Sequence, residues 1–170
     1  ATDSDPELWK SDGTETGTMM VKDINVGGAG FPYSLTAFGN TLYFQANDGT
    51  NGAELWKSDG TASGTVMVKD INSGSGHGSP SEFTVIGNTF YFSANDGTNG
   101  WELWKSDGTA SGTVLVKDIR SGSISSFLGD FTAVGDTLFF QADDGIHQFE
   151  LWKSDGTASG TVMVKDINSG

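Results

Sequence analysis

Short apolar runs alternate with turn residues along the whole chain. In one stretch, a run at residues 82–86 is followed by Gly87-Asn88 and then by a second run at residues 89–94. Two apolar runs joined by Gly-Asn are a strong signal for a β-hairpin, because glycine supplies the positive φ of a tight turn. The same turn stands at Gly39-Asn40, with a Gly-Asp counterpart at Gly135-Asp136. No segment has the period of an amphipathic helix, so the pattern predicts an all-β fold.

The second strand of each predicted hairpin is apolar at consecutive positions rather than at alternate ones. These runs are residues 42–44, 90–92 and 138–140. Successive side chains of a strand point to opposite faces of its sheet. A strand of this kind is therefore expected to be covered on both faces.

The chain repeats itself. The sequence Glu-Leu-Trp-Lys-Ser-Asp-Gly-Thr begins four times, 47, 48 and 48 residues apart, at Glu7, Glu54, Glu102 and Glu150. Each copy is followed by Gly-Thr and by an apolar run that ends in Val-Lys-Asp-Ile, and residues 54–74 are identical to residues 150–170. This period, with four strands in each repeat, predicts a β-propeller-like array of four-stranded antiparallel blades with a repeat of about 48 residues. A two-sheet sandwich or a barrel is the alternative.

The repeat boundaries predict a half blade at residues 1–25, followed by blades at 26–72, 73–120 and 121–170. Because the first repeat supplies only its third and fourth strands, we expect fourteen strands and no closed ring from one chain. Two arrangements stay open. The chain belongs to a larger propeller with neighbouring blades, or two copies associate into a ring.

The four Glu-Leu-Trp-Lys-Ser-Asp-Gly-Thr copies, each followed by Gly-Thr and Val-Lys-Asp-Ile, closely resemble the bacterial ELWxxDGT repeat family. With the hairpins that precede them, the resemblance extends over nearly the whole chain. It implies an exported or cell-surface bacterial protein of propeller-like structure. It implies no particular activity.

Charge and composition restrict the partners. With 22 acidic against 9 basic residues the formal net charge is −13, so we expect no binding to nucleic acid. No apolar run is long enough to cross a membrane as a helix, so no membrane insertion is expected. There is no cysteine, which excludes disulfides and thiolate sites. The first residues do not form a signal peptide, so we expect any export signal to lie outside this sequence.

Two aromatic residues are the candidate ligand contacts. The position before each repeated glutamate holds Pro6, Ala53, Trp101 and Phe149, so it varies while its neighbours do not. A position released from the repeat is exposed or specialised, which makes Trp101 and Phe149 candidates; packing at the rim is the alternative. The repeated tryptophans are instead expected to pack in the core, because each stands in mid-strand beside a leucine.

Acidic turns raise the question of calcium, the only cofactor that the sequence suggests. Asn-Asp-Gly-Thr-Asn-Gly occurs twice, and calcium prefers carboxylate, amide and carbonyl oxygens. The candidate ligands are Asp48, Asn51, Asp96, Asn99, Asp143 and Asp144. Asp-Gly is also the ordinary composition of a tight turn, which is the alternative interpretation.

Catalysis is not expected. The two histidines, His77 and His147, stand in variable and non-equivalent loops without a nucleophile at a recognisable spacing. The repeated glutamates follow the scaffold, whereas an active site normally breaks the symmetry.

Two functions remain. One is a multivalent binding or adhesion module of an exported protein that recognises glycans or another surface protein, with avidity from repeated sites. The other is a purely structural scaffold in a surface fibre or matrix.

Overall fold

The computed structural model describes residues 5–167. In this range the chain forms fourteen strands in four antiparallel sheets. Sheet 1 contains β1 (Leu8–Lys10) and β2 (Met19–Lys22), and sheet 2 contains β3 (Tyr33–Phe38), β4 (Thr41–Asn47), β5 (Ala53–Ser58) and β6 (Val66–Lys69). Sheet 3 contains β7 (Ser81–Ile86), β8 (Thr89–Asn95), β9 (Trp101–Ser106) and β10 (Val114–Lys117), and sheet 4 contains β11 (Gly129–Val134), β12 (Thr137–Asp143), β13 (Phe149–Ser154) and β14 (Val162–Lys165). Residues 1–4 and 168–170, at the ends of the first and last predicted blades, lie outside the described residues.

Sheets 2, 3 and 4 are meanders in which the strands are hydrogen-bonded in chain order. The glycines of the three predicted hairpins, Gly39, Gly87 and Gly135, have φ values of about 60°. The described residues form no helix, and hence none long enough to cross a membrane. The predictions of an all-β fold and of four-stranded antiparallel sheets are confirmed.

The chain forms two compact units. Residues 1–79 contain sheets 1 and 2, and residues 80–170 contain sheets 3 and 4. Each unit has a hydrophobic core between its two sheets.

In the second unit, two faces of different composition meet. Sheet 3 contributes Tyr91, Leu103, Val116 and Ile119, and sheet 4 contributes Leu138, Phe140, Ala142 and Trp152. We call the first the lysine face, because two lysines extend from it to the neighbouring sheet, and the second the tryptophan face. Lys105 Nζ donates to Gly156 O at 2.8 Å, and Lys117 Nζ donates to Thr161 O at 2.8 Å. The Lys117 ammonium also lies 5.8 Å from the centre of the Trp152 ring.

The first unit is built in the same way. The lysine face of sheet 1, with Leu8, Val21 and Ile24, packs on the tryptophan face of sheet 2, with Phe44, Ala46 and Trp56. The two lysine bonds run from Lys10 to Gly60 O at 2.9 Å and from Lys22 to Thr65 O at 2.7 Å.

A β-bulge makes the lysine face. In sheet 3, Leu115 pairs with Trp104 but Lys117 pairs with Leu103, so that Val116 is one extra residue. Because of the extra residue, the consecutive residues Val116 and Lys117 both lie on the face of the sheet that carries Leu103. Strict alternation would send one of the two to the opposite face.

The expectation of strands covered on both faces holds for one strand and fails for another. In β8, Phe90, Tyr91 and Phe92 are all buried. In β12, Leu138 is buried but Phe139 is only partly buried. The reason is that no described residue packs on the lysine face of sheet 4.

The tryptophans divide in a similar way. Trp56, Trp104 and Trp152 are each 6% exposed, as expected of core residues, whereas Trp9 is 53% exposed. The prediction that every tryptophan packs in the core is therefore wrong for Trp9, which lies on the open tryptophan face of sheet 1.

Candidate functional site

The repeated glutamate holds the backbone together. The Glu54 side chain is fully buried, and its two carboxylate oxygens accept hydrogen bonds from Ile71 N and Gly78 N, each at 2.7 Å. Burial raises the pKa of Glu54 to about 7, although both hydrogen bonds act to lower it. This glutamate joins the start of its strand to the loop after the fourth strand.

Glu102 keeps only half of this arrangement. Its Oε2 accepts from Ile119 N at 2.8 Å, but its buried Oε1 has no hydrogen-bond partner among the described residues. Ser126 stands where the first unit has Gly78, and both its amide and its hydroxyl donate to Trp101 O at 3.1 Å. Burial raises the pKa of Glu102 to about 7 as well.

In the Ser-Asp-Gly-Thr turns too, the polar side chains form hydrogen bonds to groups of the same turn. Asp59 Oδ1 accepts from the amide and from the hydroxyl of Thr61, at 2.9 and 2.7 Å. These hydrogen bonds lower the pKa of Asp59, and the bond from the Thr61 hydroxyl has the largest effect. Beneath the turn, the Ser58 and Thr65 hydroxyls are bonded at 2.8 Å. The repeated polar residues therefore stabilise the fold.

The loops predicted to bind calcium use their oxygens internally. Asp48 Oδ1 accepts from the amides of Thr50 and Asn51, and Asp48 Oδ2 accepts from the Asn51 side chain at 2.8 Å. Asp96 and Asn99 repeat these contacts in the second unit. Each loop is thus an Asx turn in which the aspartate bonds to its own backbone.

The third loop of this kind, at residues 143–148, differs from these two. Asp144 Oδ2 bonds to His147 Nδ1 at 2.8 Å, so that His147 takes the place of the asparagine. This contact raises the pKa of His147 above its ordinary value. The neighbouring Asp143 binds Gly145 N at 2.6 Å and forms an ion pair with Arg120 at 2.5 Å.

Calcium at Asp48, Asn51, Asp96, Asn99, Asp143 and Asp144 stays a prediction. Within residues 5–167 no group of three acidic or histidine side chains is arranged to hold a metal ion. The hypothesis predicts a higher melting temperature with calcium than with EDTA, because an ion that binds only the folded state stabilises it. An unchanged melting temperature would contradict it.

The residues that depart from the repeat converge in the second unit. A cleft of about 500 Å³ opens between the loops of sheets 3 and 4 and is bordered by Arg120, Ile124, Ile146 and Trp152. Arg120 replaces the asparagine that follows Val-Lys-Asp-Ile in the other copies. The two isoleucines are exposed, and the buried Trp152 Nε1 has no hydrogen-bond partner among the described residues.

Exposed aromatic rings lie beside this cleft. Arg120 lies 6.0 Å from the centre of the Phe127 ring, and Phe127 meets Phe149 edge to face at 6.2 Å. The backbone of Ser126 is bonded both to Trp101 O and to Asp143 N, which fixes Phe127 beside the starts of β9 and β13. Trp101, Phe127 and Phe149 are each at least 40% exposed.

Sequence reasoning named two of these three aromatics and missed Phe127. It also missed Arg120 and, in the first unit, the stacked pair Phe31 and Tyr33, whose ring centres are 6.3 Å apart. All four stand in the variable loops or next to them. The criterion that selected Trp101, departure from the repeat, would have found them if it had been applied to every position.

The comparisons with known proteins do not supply a function. No family model matches the chain, and no curated protein matches it significantly. A search of solved structures found the crystal structure of the computationally designed Ika8 protein, with 16% identity and a TM-score of 0.49. That match covers 88% of this chain and 40% of the Ika8 chain, and at this score it carries no argument.

Proposed function

We propose that this chain is a non-enzymatic binding module that recognises glycans through the aromatic side of the cleft in its second unit. The observation that carries the proposal is the convergence of repeat-breaking residues. Phe127 contacts both Arg120 and Phe149, whereas the repeated polar residues form hydrogen bonds within the scaffold.

The chemistry of this group suits a sugar. An exposed aromatic ring packs against the apolar face of a pyranose, and Phe127, Phe149 and Trp101 offer such rings at one edge. The ion pair with Asp143 holds the Arg120 guanidinium in place, so that it can donate hydrogen bonds to a sugar hydroxyl from a fixed position. The stacked pair Phe31 and Tyr33 offers a second, weaker surface in the first unit, which supports a multivalent mode of binding.

The wider setting is part of the same proposal. We infer that the sheets are blades of a propeller-like array in an exported or cell-surface bacterial protein, on the strength of the ELWxxDGT resemblance and the meander order of the sheets. The partners are then glycans or a surface protein, with no nucleic acid and no membrane insertion.

The test is a glycan array screened once with calcium and once with EDTA. Wild type is compared with Phe149→Ala and with Tyr33→Ala, which removes an equally exposed ring from the other unit. We expect one glycan class to be bound, with at least a tenfold loss for Phe149→Ala and a smaller loss for Tyr33→Ala. If the wild type binds the glycan with calcium but not with EDTA, the result would support calcium at the Asp-Gly loops.

If the folded wild type binds no glycan on the array, either with calcium or with EDTA, the proposal of glycan binding is contradicted. The open faces of sheets 1 and 4 support the second candidate, a structural scaffold, which would then be preferred.

A further inference from the structure

The lysine face of sheet 4 is open, although the equivalent face of sheet 3 is covered. Leu103 is fully buried and Val116 is 7% exposed, whereas their counterparts Leu151 and Val164 are 39% and 45% exposed. Phe139 and Leu151 also line a shallow cavity of about 290 Å³. Exposed contiguous apolar residues of this kind mark an interaction surface.

The tryptophan face of sheet 1 is the complementary open surface. Trp9 is 53% exposed, against 6% for Trp56 on the covered face of sheet 2, and Met20 is exposed beside it. The turn of sheet 1 carries the same two carbonyls, at Gly13 and Thr18, that accept the lysine bonds in the other sheets. Sheet 1 has only two described strands, so this surface is the part made by the third and fourth strands of a meander.

Both units show which surface a lysine face binds. In each unit it packs on a tryptophan face, with one lysine on the glycine carbonyl of the turn and the other on the threonine carbonyl. In sheet 4, Lys153 and Lys165 are the counterparts of these lysines. Both are exposed and neither forms a hydrogen bond or an ion pair within the described residues.

We propose that the lysine face of sheet 4 binds the tryptophan face of sheet 1 of a second copy of this chain. In this contact Lys153 donates to Gly13 O, Lys165 donates to Thr18 O and lies over the Trp9 ring, and Leu151 packs beside Trp9. Each unit already contains both lysine bonds and a lysine over a tryptophan ring, with the leucine and the tryptophan in one core, so the interface requires no new chemistry. It is a head-to-tail contact, in which two different surfaces meet.

The experiment measures mass in solution by sedimentation equilibrium up to about 100 μM, a range that detects weak association. Trp9→Glu blocks one surface and Leu151→Lys blocks the other, both at exposed positions. Ile146→Lys is the matched control, because it places the same charge at an exposed apolar residue of the loop between β12 and β13. Circular dichroism confirms that each variant is folded.

We expect wild type and Ile146→Lys to associate, and each blocked variant alone to bind at least a hundredfold more weakly. An equimolar mixture of Trp9→Glu and Leu151→Lys should form a dimer and nothing larger, because only one intact pair of surfaces remains. A Lys153→Ala, Lys165→Ala double variant should associate at least tenfold more weakly than wild type. A monomeric wild type, or blocked variants that associate as wild type does, would overturn the proposal.

Discussion

Two equivalent glutamates offer a direct comparison at the scale of single residues. Glu54 receives an amide hydrogen bond on each oxygen, whereas Glu102 receives one on Oε2 only. In Glu54→Gln the side-chain NH₂ must face a backbone N–H, which leaves a buried donor without an acceptor. In Glu102→Gln the NH₂ can occupy the oxygen position that has no donor.

We therefore expect Glu54→Gln to be less stable than Glu102→Gln by about 1–3 kcal/mol, the cost of one unsatisfied buried group. The measurement is urea unfolding at pH 8, where both wild-type carboxyls are ionised. Equal stabilities would show that the missing partner of Glu102 has no energetic consequence.

The same two groups predict how stability depends on pH. Burial raises the pKa of Glu54 and of Glu102 to about 7, above the ordinary value. The folded state then binds more protons than the unfolded state between about pH 4.5 and pH 7, so the free energy of unfolding falls as the pH rises through this range. Each group contributes up to about 3 kcal/mol to the fall.

The aspartates of the turns act at lower pH. Burial acts to raise the pKa of Asp96, but its hydrogen bonds from Asn99 and Thr98 together lower it, and its contribution to stability is lost as the pH falls below the ordinary aspartate value. Maximum stability is expected near pH 4–5, measured as the urea midpoint from pH 3 to pH 8. A midpoint that increases steadily up to pH 8 would contradict the raised glutamate pKa values.

His147 is a second titrating group with an identified partner. Its hydrogen bond to Asp144 raises the pKa of the imidazole, so the charged pair is formed below the ordinary histidine pKa and is lost as the pH rises through the raised value. An NMR titration of the imidazole protons should show this raised pKa. In Asp144→Asn the pKa should return towards its ordinary value; if it does not, the contact does not cause the shift.

At the scale of elements, the facing sheet decides what the lysine after the fourth-strand bulge contacts, because the register shifts in the same way in sheets 3 and 4. Lys117 is half-buried, lies over Trp152 and donates to Thr161 O, whereas Lys165 occupies the same place after the bulge of sheet 4 and has no such partner. Lys117 and Lys165 therefore occupy equivalent positions and differ in what surrounds them.

Lys117→Met should cost about 1.5–3 kcal/mol, the value of a hydrogen bond from a charged group. Lys165→Met should change the stability of the monomer by less than about 0.5 kcal/mol. Thermal or urea unfolding at low protein concentration measures both. Similar losses in the two variants would contradict the assignment of the lysine bond to the interface between sheets 3 and 4.

Hairpins and strand type were predictable from the sequence because they depend on local chemistry. Gly87-Asn88 fixes a turn, and the apolar run after it fixes a strand. Whether both faces of such a strand are buried depends on the neighbouring sheet, because Tyr91 is buried whereas Phe139, at the equivalent position, is only partly buried. The bulge at Val116 was not predictable, because its pattern of apolar and polar residues differs little from that of a regular strand. The exposure of Trp9 depends on which sheet faces it, a property that no local pattern contains.

At the scale of the whole molecule, the repeated polar residues and the residues that depart from the repeat have different surroundings. Repeated polar residues, such as Glu54 and Asp59, bond to the backbone of their own unit. Residues outside the repeat, such as Arg120 and Phe149, remain at the surface. Trp101 and Phe149 were named as candidates because they break the repeat, and Phe127 was missed because that criterion was applied only to the position before each repeated glutamate.

We propose that in this protein the repeat supplies the scaffold and the repeat-breaking aromatics supply the binding. The most direct measurement is the dissociation constant of Phe149→Ala for the bound glycan class, determined by calorimetry alongside its unfolding curve. We predict at least a tenfold weaker affinity with a free energy of unfolding within about 0.5 kcal/mol of wild type, since the ring is exposed. Unchanged affinity, or a loss that merely follows unfolding, would contradict the claim.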